Sequence, residues 1–213
     1  MTTMTTALTS EDAEQLRDCV KGGGVAVFPS DTVYGVCCDP ENEQAAQRLY
    51  ELKGRPATRP AAVMFFALEP ALQALTELGE REQKALSALL PGPVTLLLEN
   101  RAGRFLAACR RDPSTLGLRV PWLPENLHAL SSIGEPVMQS SANLSGQPDA
   151  SRLEDVPAGM RAGADVVLDG GDLPGAPSTV IDLRDYEQSG AWHVLREGAL
   201  SAEAVRELLQ AAS

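Results

Sequence analysis

The sequence has no long apolar run. Its longest, such as Val94-Thr95-Leu96-Leu97-Leu98, are strand-sized and far short of the ~20 residues that a membrane-spanning helix needs. The first ten residues carry neither a basic start nor an apolar stretch, so no secretory signal is expected and a cytoplasmic location is. Histidine is scarce. His128 and His193 are the only two, and neither stands near an acidic or thiol cluster that could build a zinc site or a Ser-His-Asp triad. Cys19, Cys37, Cys38 and Cys109 lack the paired spacing of a zinc or disulfide framework, and buried, reduced thiols are the expectation. Positive charge is also short: 18 Lys and Arg stand against 29 Asp and Glu, for a net charge of −11. That balance argues against a protein that grips nucleic acid over a wide surface. A local basic cleft for a small anionic substrate is still compatible with it. Neither a Gly-x-x-x-x-Gly-Lys-Ser/Thr phosphate loop nor a clean dinucleotide fingerprint is present.

What is present is an ordinary globular chain of 213 residues, long enough to bury a substantial core. Mixed α and β signals run through it without a break in composition, which predicts one α/β domain over residues 10–213 and a disordered start over residues 1–9. Short apolar runs predict strands near 25–28, 33–36, 61–66, 94–98, 116–120, 136–139, 166–168, 179–183 and 191–195. Helices are expected from Ser10, over 42–52, around 70–78 and 81–90, near 125–130, from a capping box at Ser151, and from Ser201 to about Leu209. Gly22-Gly23-Gly24 stops the first of these.

Three segments could carry chemistry. Lys53-Gly54-Arg55 sits at a predicted helix end, where basic residues also complement the helix dipole. Arg59 follows across Pro56 and Pro60, and three cations in seven residues of an acidic protein suit a polyanion such as a triphosphate. Ser140-Ser141-Ala142-Asn143-Leu144-Ser145-Gly146 follows a strand's carboxyl end, a usual ligand position in open α/β sheets, although a polar loop with a helix cap would read the same. Pro29-Ser30-Asp31-Thr32-Val33-Tyr34 places hydroxyls beside an apolar strand, which half-buried sheet residues also do.

Taken together, these segments resemble the YrdC/TsaC family, the L-threonylcarbamoyladenylate synthases, in their short single-domain form. The matching stretches are PSDTVYGV at 29–36, LKGRP at 52–56, PGPVTLLL at 91–98, LGLRVP at 116–121, SSANLSG at 140–146, STVIDL at 178–183 and LREG at 195–198. The resemblance implies a strongly twisted mixed sheet around a deep central cavity. It also implies a nucleotidyltransferase that makes threonylcarbamoyl-AMP and pyrophosphate from L-threonine, bicarbonate and ATP, for the modification of adenosine 37 of tRNA by a separate threonylcarbamoyltransferase. By the same resemblance Lys53, Arg55, Ser141 and Asn143 are the catalytic set, and Arg55, Arg59, Ser141, Asn143 and Arg196 bind ATP. Arg119 would pair with the threonine carboxylate, with Thr32, Ser178 and Thr179 positioning the amino acid and Tyr34 shaping the wall. Mg²⁺ is expected with ATP, without protein ligands. Direct tRNA binding is expected to be weak at most, and no membrane is implied. Ser30 stands where the family usually has threonine, and Met64 where a histidine sometimes stands near the amino acid. Two other readings compete: a non-catalytic RNA-binding module using Arg101, Arg104, Arg110 and Arg111 (unless that cluster is simply a mobile surface loop), and a paralogue forming a related carbamoyl-adenylate.

Overall fold

A computed structural model describes residues 7–212 apart from 55 and 57–59. The nine strands among the described residues join one mixed sheet: β1 (Ala26–Pro29), β2 (Tyr34–Cys38), β3 (Ala62–Met64), β4 (Val94–Glu99), β5 (Thr115–Arg119), β6 (Val137–Ser141), β7 (Val166–Val167), β8 (Thr179–Asp182) and β9 (His193–Arg196). Their order across the sheet is β7-β1-β2-β6-β3-β5-β4-β8-β9. The pairs β1/β7, β3/β5 and β4/β8 are parallel and the other five antiparallel.

Register decides which side chains share a face, because opposed residues point the same way and successive residues alternate. One face carries Val27, Val36, Met138, Val63, Leu118, Leu96 and Ile181, in line across the strands. These belong to the main core, which also takes in the inner side of helix Glu43–Leu52. The opposite face is divided. At one end Ala26, Phe28, Cys37, Met64 and Val137 pack with Leu16 and Val20 of helix Ser10–Lys21 and with Leu127 and Leu130 of the 3-10 helix Glu125–Ser132. Over the rest of that face the side chains turn small or polar. Gln139, Ala62 and Gly117 oppose one another across three strands, with Ser141, Arg119, Thr95, Val180 and Arg196 beside them. A sheet face that loses its apolar cover must be wetted or liganded, and this one floors a cleft.

Several local expectations shift. The N-cap of the first helix is Thr9, not Ser10: its Oγ1 accepts from Asp12 N while Asp12 caps back onto Thr9 N. Leu8 N also donates to Asn126 O at 2.8 Å, so order begins before residue 10; residues 1–6 lie outside the described part. The capping box expected at Ser151 does not open an α-helix there. A one-turn 3-10 helix, Leu153–Asp155, is capped by Arg152 and Asp155, and the α-helix follows at Ala158–Gly163. Ser201 caps the last helix, Ala202–Ala211, as expected. The four cysteines are free, three of them buried; burial pushes the Cys38 thiol up to about 12 and that of Cys109 to about 11. No helix among the described residues is long and apolar enough to cross a membrane.

Candidate functional site

The cleft has a volume of about 450 Å³ and is lined by Lys53, Arg119, Arg196, Gln139, Ser141 and Asn143, among others. Lys53 reaches it from the end of helix Glu43–Leu52. Asn42 starts that helix by accepting from Gln44 N and Ala45 N through its side chain, and the buried stripe Ala45, Ala46, Leu49, Tyr50 fixes its rotation on the sheet. Lys53 is the C-cap, and Gly54 follows at φ +55°, a left-handed turn that favours glycine. The chain therefore leaves the helix abruptly, and the Lys53 side chain, only 2% exposed, turns into the loop after β6. Its ammonium donates to Ser141 O, to Asn143 O at 2.9 Å and to Asn143 Oδ1 at 3.2 Å. The Ser141 hydroxyl donates to Asn143 Oδ1 at 2.7 Å, and Asn143 Nδ2 to Gln147 O at 2.6 Å. An ammonium has three donors. Lys53 thus ties together the Ser-Ser-Ala-Asn loop and supplies a positive field to it.

The other end of the cleft is built on β5. Arg119 is 4% exposed. Its Nη2 donates to Asp31 Oδ1 at 2.8 Å and to Thr32 Oγ1 at 3.2 Å, while its Nε is buried without a partner among the described residues. The second Asp31 oxygen accepts the Trp122 N–H at 3.1 Å. Ser30 shapes this turn from beneath, donating to Val33 O at 2.7 Å with its hydroxyl 3.1 Å from that of Thr32. Burial pushes the Asp31 carboxyl up and the Arg119 guanidinium down, and their pairing opposes both shifts; Arg196 adds a like charge that also lowers Arg119. Ser178 closes this side. Its hydroxyl is 2.8 Å from that of Thr95, and Arg196 Nη2 donates to its carbonyl at 2.7 Å.

The structure brings together Lys53, Ser141 and Asn143 at one end and Arg119, Ser178 and Arg196 at the other, all lining one cleft. Thr32 stands behind Arg119, fully buried, so it positions the guanidinium rather than facing a ligand. Thr179 belongs to the opposite face of β8. Its hydroxyl is spent on Leu200 O, Gly198 N and Leu200 N, which anchors the last segment of chain; the expected contact with an amino acid is corrected accordingly. Arg55 and Arg59 lie outside the described residues. Tyr34 lines the wall, its hydroxyl accepting from Gly170 N and lying 3.0 Å from Asp169 Oδ1 and 2.9 Å from Gly171 O. Met64 packs in the smaller core cluster, opposite Arg119 in register.

Sequence reasoning missed Asp31, Thr95 and Gln139. The first two gave no local signal, since their partners lie 88 and 83 residues away. Gln139 did give one, as a polar residue directly after the apolar pair Val137-Met138 in a predicted strand.

Three of the four arginines proposed for RNA are engaged in ion pairs. Arg101 makes a two-point pair with the buried Glu82 at 2.9 and 3.1 Å, Arg104 pairs with Glu77 at 3.0 Å, and Arg110 with Glu43 at 2.7 Å. Arg110 also lies 4.9 Å from the Tyr50 ring centroid.

Comparison with known proteins places these features in a family. The profile of the Sua5/YciO/YrdC family, described as "Telomere recombination", matches residues 18–198. A threonylcarbamoyl-AMP synthase of Pyrococcus abyssi (strain GE5 / Orsay) is 28% identical over 191 residues, covering 89% of this chain and 55% of that protein. One from Vibrio vulnificus (strain YJ016) is 32% identical over 162 residues, covering 74% of this chain and 85% of the relative. The crystal structure of P. abyssi Sua5 complexed with L-threonine superposes with a TM-score of 0.81 at 27% identity, over 94% of this chain and 58% of the other. That of E. coli YciO gives 0.77 at 27% identity, over 94% and 96%. The chain spans little more than half the length of the P. abyssi protein.

Proposed function

The chain belongs to the Sua5/YciO/YrdC family, and from that premise we propose that it is a threonylcarbamoyl-AMP synthase acting in the cytoplasm, with ATP, L-threonine and bicarbonate as substrates. The observation that carries this reading is Arg119. A guanidinium in the cleft wall, fixed on one side by Asp31 and Thr32 and lining the cleft with its remaining donors, is a receptor for a carboxylate, which arginine can hold through two parallel donors. The L-threonine complex of P. abyssi Sua5 supports an amino acid as the carboxylate's owner.

At the other end, Lys53 and the loop Ser141–Asn143 receive the nucleotide phosphates, with Arg196, Arg55 and Arg59 kept as further phosphate contacts in this reading. The threonine amine takes up the carbon of bicarbonate with loss of water to give a carbamate. A carbamate oxygen then attacks the α-phosphorus, forming an O–P bond as the bond to pyrophosphate breaks. This chemistry asks for alignment and charge neutralisation rather than a protein nucleophile, which fits a cleft of cations, hydroxyls and amides. A Mg²⁺ ion accompanying ATP is part of this reading, held by the triphosphate oxygens. The product would pass to a separate tRNA threonylcarbamoyltransferase.

The test is product analysis with ¹³C-bicarbonate. Purified protein should release pyrophosphate and form a ¹³C-labelled threonylcarbamoyl-AMP only when ATP, L-threonine and bicarbonate are all present. Folded protein that yields no such adduct, or yields it from another amino acid in preference, refutes the assignment, the latter outcome favouring the related carbamoyl-adenylate.

A further inference from the structure

A buried polar side chain in the cleft, Gln139, has no hydrogen-bond partner among the described residues. Gln139 lies at the middle of β6, a strand paired on both sides, is only 6% exposed, and lines the cleft. No hydrogen bond from the described residues holds its carboxamide, and its opposed neighbours on this face are the thiol of Cys37 and the methyl of Ala62. An amide on the floor of a cleft, unpartnered by its own chain, takes its hydrogen bonds from solvent or from a ligand. Its atoms are also not sealed by protein, in contrast to Arg119 Nε, so the carboxamide is open to whatever fills the cleft.

Register places it between the two ends of the site. Ser141, whose carbonyl accepts from Lys53, is two residues along the same strand and faces the same way. Toward the other end, Gln139 opposes Ala62, Ala62 opposes Gly117, and Arg119 is the next residue on that face of β5. A ligand with its carboxylate on Arg119 and its phosphate at the Ser141–Asn143 loop must pass its middle over Gln139.

Resting on the proposed synthase reading, we infer that Gln139 is the specificity-determining residue for the one-carbon unit: its amide N–H donates to a carbamate oxygen, and its amide oxygen accepts the N–H of the threonine nitrogen. The chemistry favours an amide at this place. The carbamate must be held by an oxygen yet stay nucleophilic, and a neutral donor does this without neutralising the charge as a lysine or arginine would. At this place the carbamoylated amine offers acceptor and donor side by side, whereas the free amine of threonine offers only a donor, so the same contact separates the two.

Gln139→Leu and the near-isosteric Gln139→Glu test this, with initial rates measured against bicarbonate in CO₂-depleted buffer and with ATP and L-threonine binding followed by calorimetry. In Gln139→Leu the KM for bicarbonate should rise about tenfold or more, as loss of hydrogen bonds to a charged group implies. The dissociation constant for ATP should stay within about twofold, that for threonine should rise by less than the bicarbonate KM because only the N–H contact is lost, and Tm should stay close to that of wild type because the carboxamide holds no other described residue. Gln139→Glu, which sets a negative charge against the carbamate, should lose more bicarbonate-dependent rate than Gln139→Leu, and it decides the matter if the leucine variant does not fold. An unchanged bicarbonate KM in both variants overturns the inference. So does a fall in Tm with parallel weakening of ATP and threonine, which would mark a structural role. Inactive wild-type protein refutes the synthase reading itself, whereas active wild type with unaffected variants refutes the Gln139 assignment alone.

Discussion

Asp31→Asn should destabilise the protein by a margin that a melting curve resolves easily. The Asp31 and Arg119 side chains are 3% and 4% exposed and meet at 2.8 Å. With charge centres about 4 Å apart, their attraction is ~4 kcal/mol at an effective dielectric constant near 20, and breaking a buried pair by removing one partner costs ~3–5 kcal/mol. Asparagine keeps the volume and can still accept the Trp122 N–H, so the loss is mainly the charge, leaving Arg119 buried and uncompensated with an Nε that already lacks a partner among the described residues. At ~2–4 °C per kcal/mol for a chain of this size, a cost of ~3–4 kcal/mol lowers Tm by about 6–16 °C. The double variant Asp31→Asn/Arg119→Met removes both charges, and replacing a buried pair with neutral groups is often close to neutral in stability. It should therefore melt above Asp31→Asn alone, a strongly non-additive cycle. A single variant within about 2 °C of wild type, or a double variant whose losses simply add, would refute the view that Asp31 holds Arg119 in place.

Lys53→Met should lower kcat/KM by roughly 10²–10³-fold, the usual loss when one charged contact to a developing transition state is removed; steady-state kinetics with near-normal values would show that the clamp on Ser141 and Asn143 is dispensable. Arg101→Met strands the fully buried Glu82 carboxylate and should cost ~3–5 kcal/mol, read by urea unfolding, with little change in KM because the pair lies outside the cleft. The Asp165 carboxyl is held below its ordinary range by hydrogen bonds from Arg48 and from Val25 N. A depressed folded value gives stability that is present above the unfolded pKa of about 3.9 and is lost as pH falls through the folded value. The Tm gap between wild type and Asp165→Asn should thus be open at neutral pH and close below about pH 4; a gap that widens in acid contradicts the sign.

The strands were legible because each is a short apolar run between turn residues, and all nine lie within a residue or two of where those runs predict. The short helices Leu106–Cys109 and Tyr186–Ser189 were not, since four residues give no periodicity, and the first opens from Phe105 at φ +52° with no side-chain cap. Lys53 and the Ser141–Asn143 loop were recognisable as a pair through ordered motifs, but not that the ammonium holds that loop by its carbonyls. Thr179 shows the converse failure. It stands in a matched motif beside Ser178, yet one residue along a strand reverses the face, and its hydroxyl anchors Leu200 instead of lining the cleft. Which residues floor the cleft depends on strand order and register, neither of which a local pattern contains.

The most direct test of the account is a structure determined with L-threonine and a non-hydrolysable ATP analogue bound. The account predicts the threonine carboxylate within hydrogen-bonding reach of Arg119, about 2.7–3.2 Å, the phosphates against the loop held by Lys53, and the amine between them above Gln139. An amino acid bound away from Arg119, or phosphates outside this cleft, would contradict it.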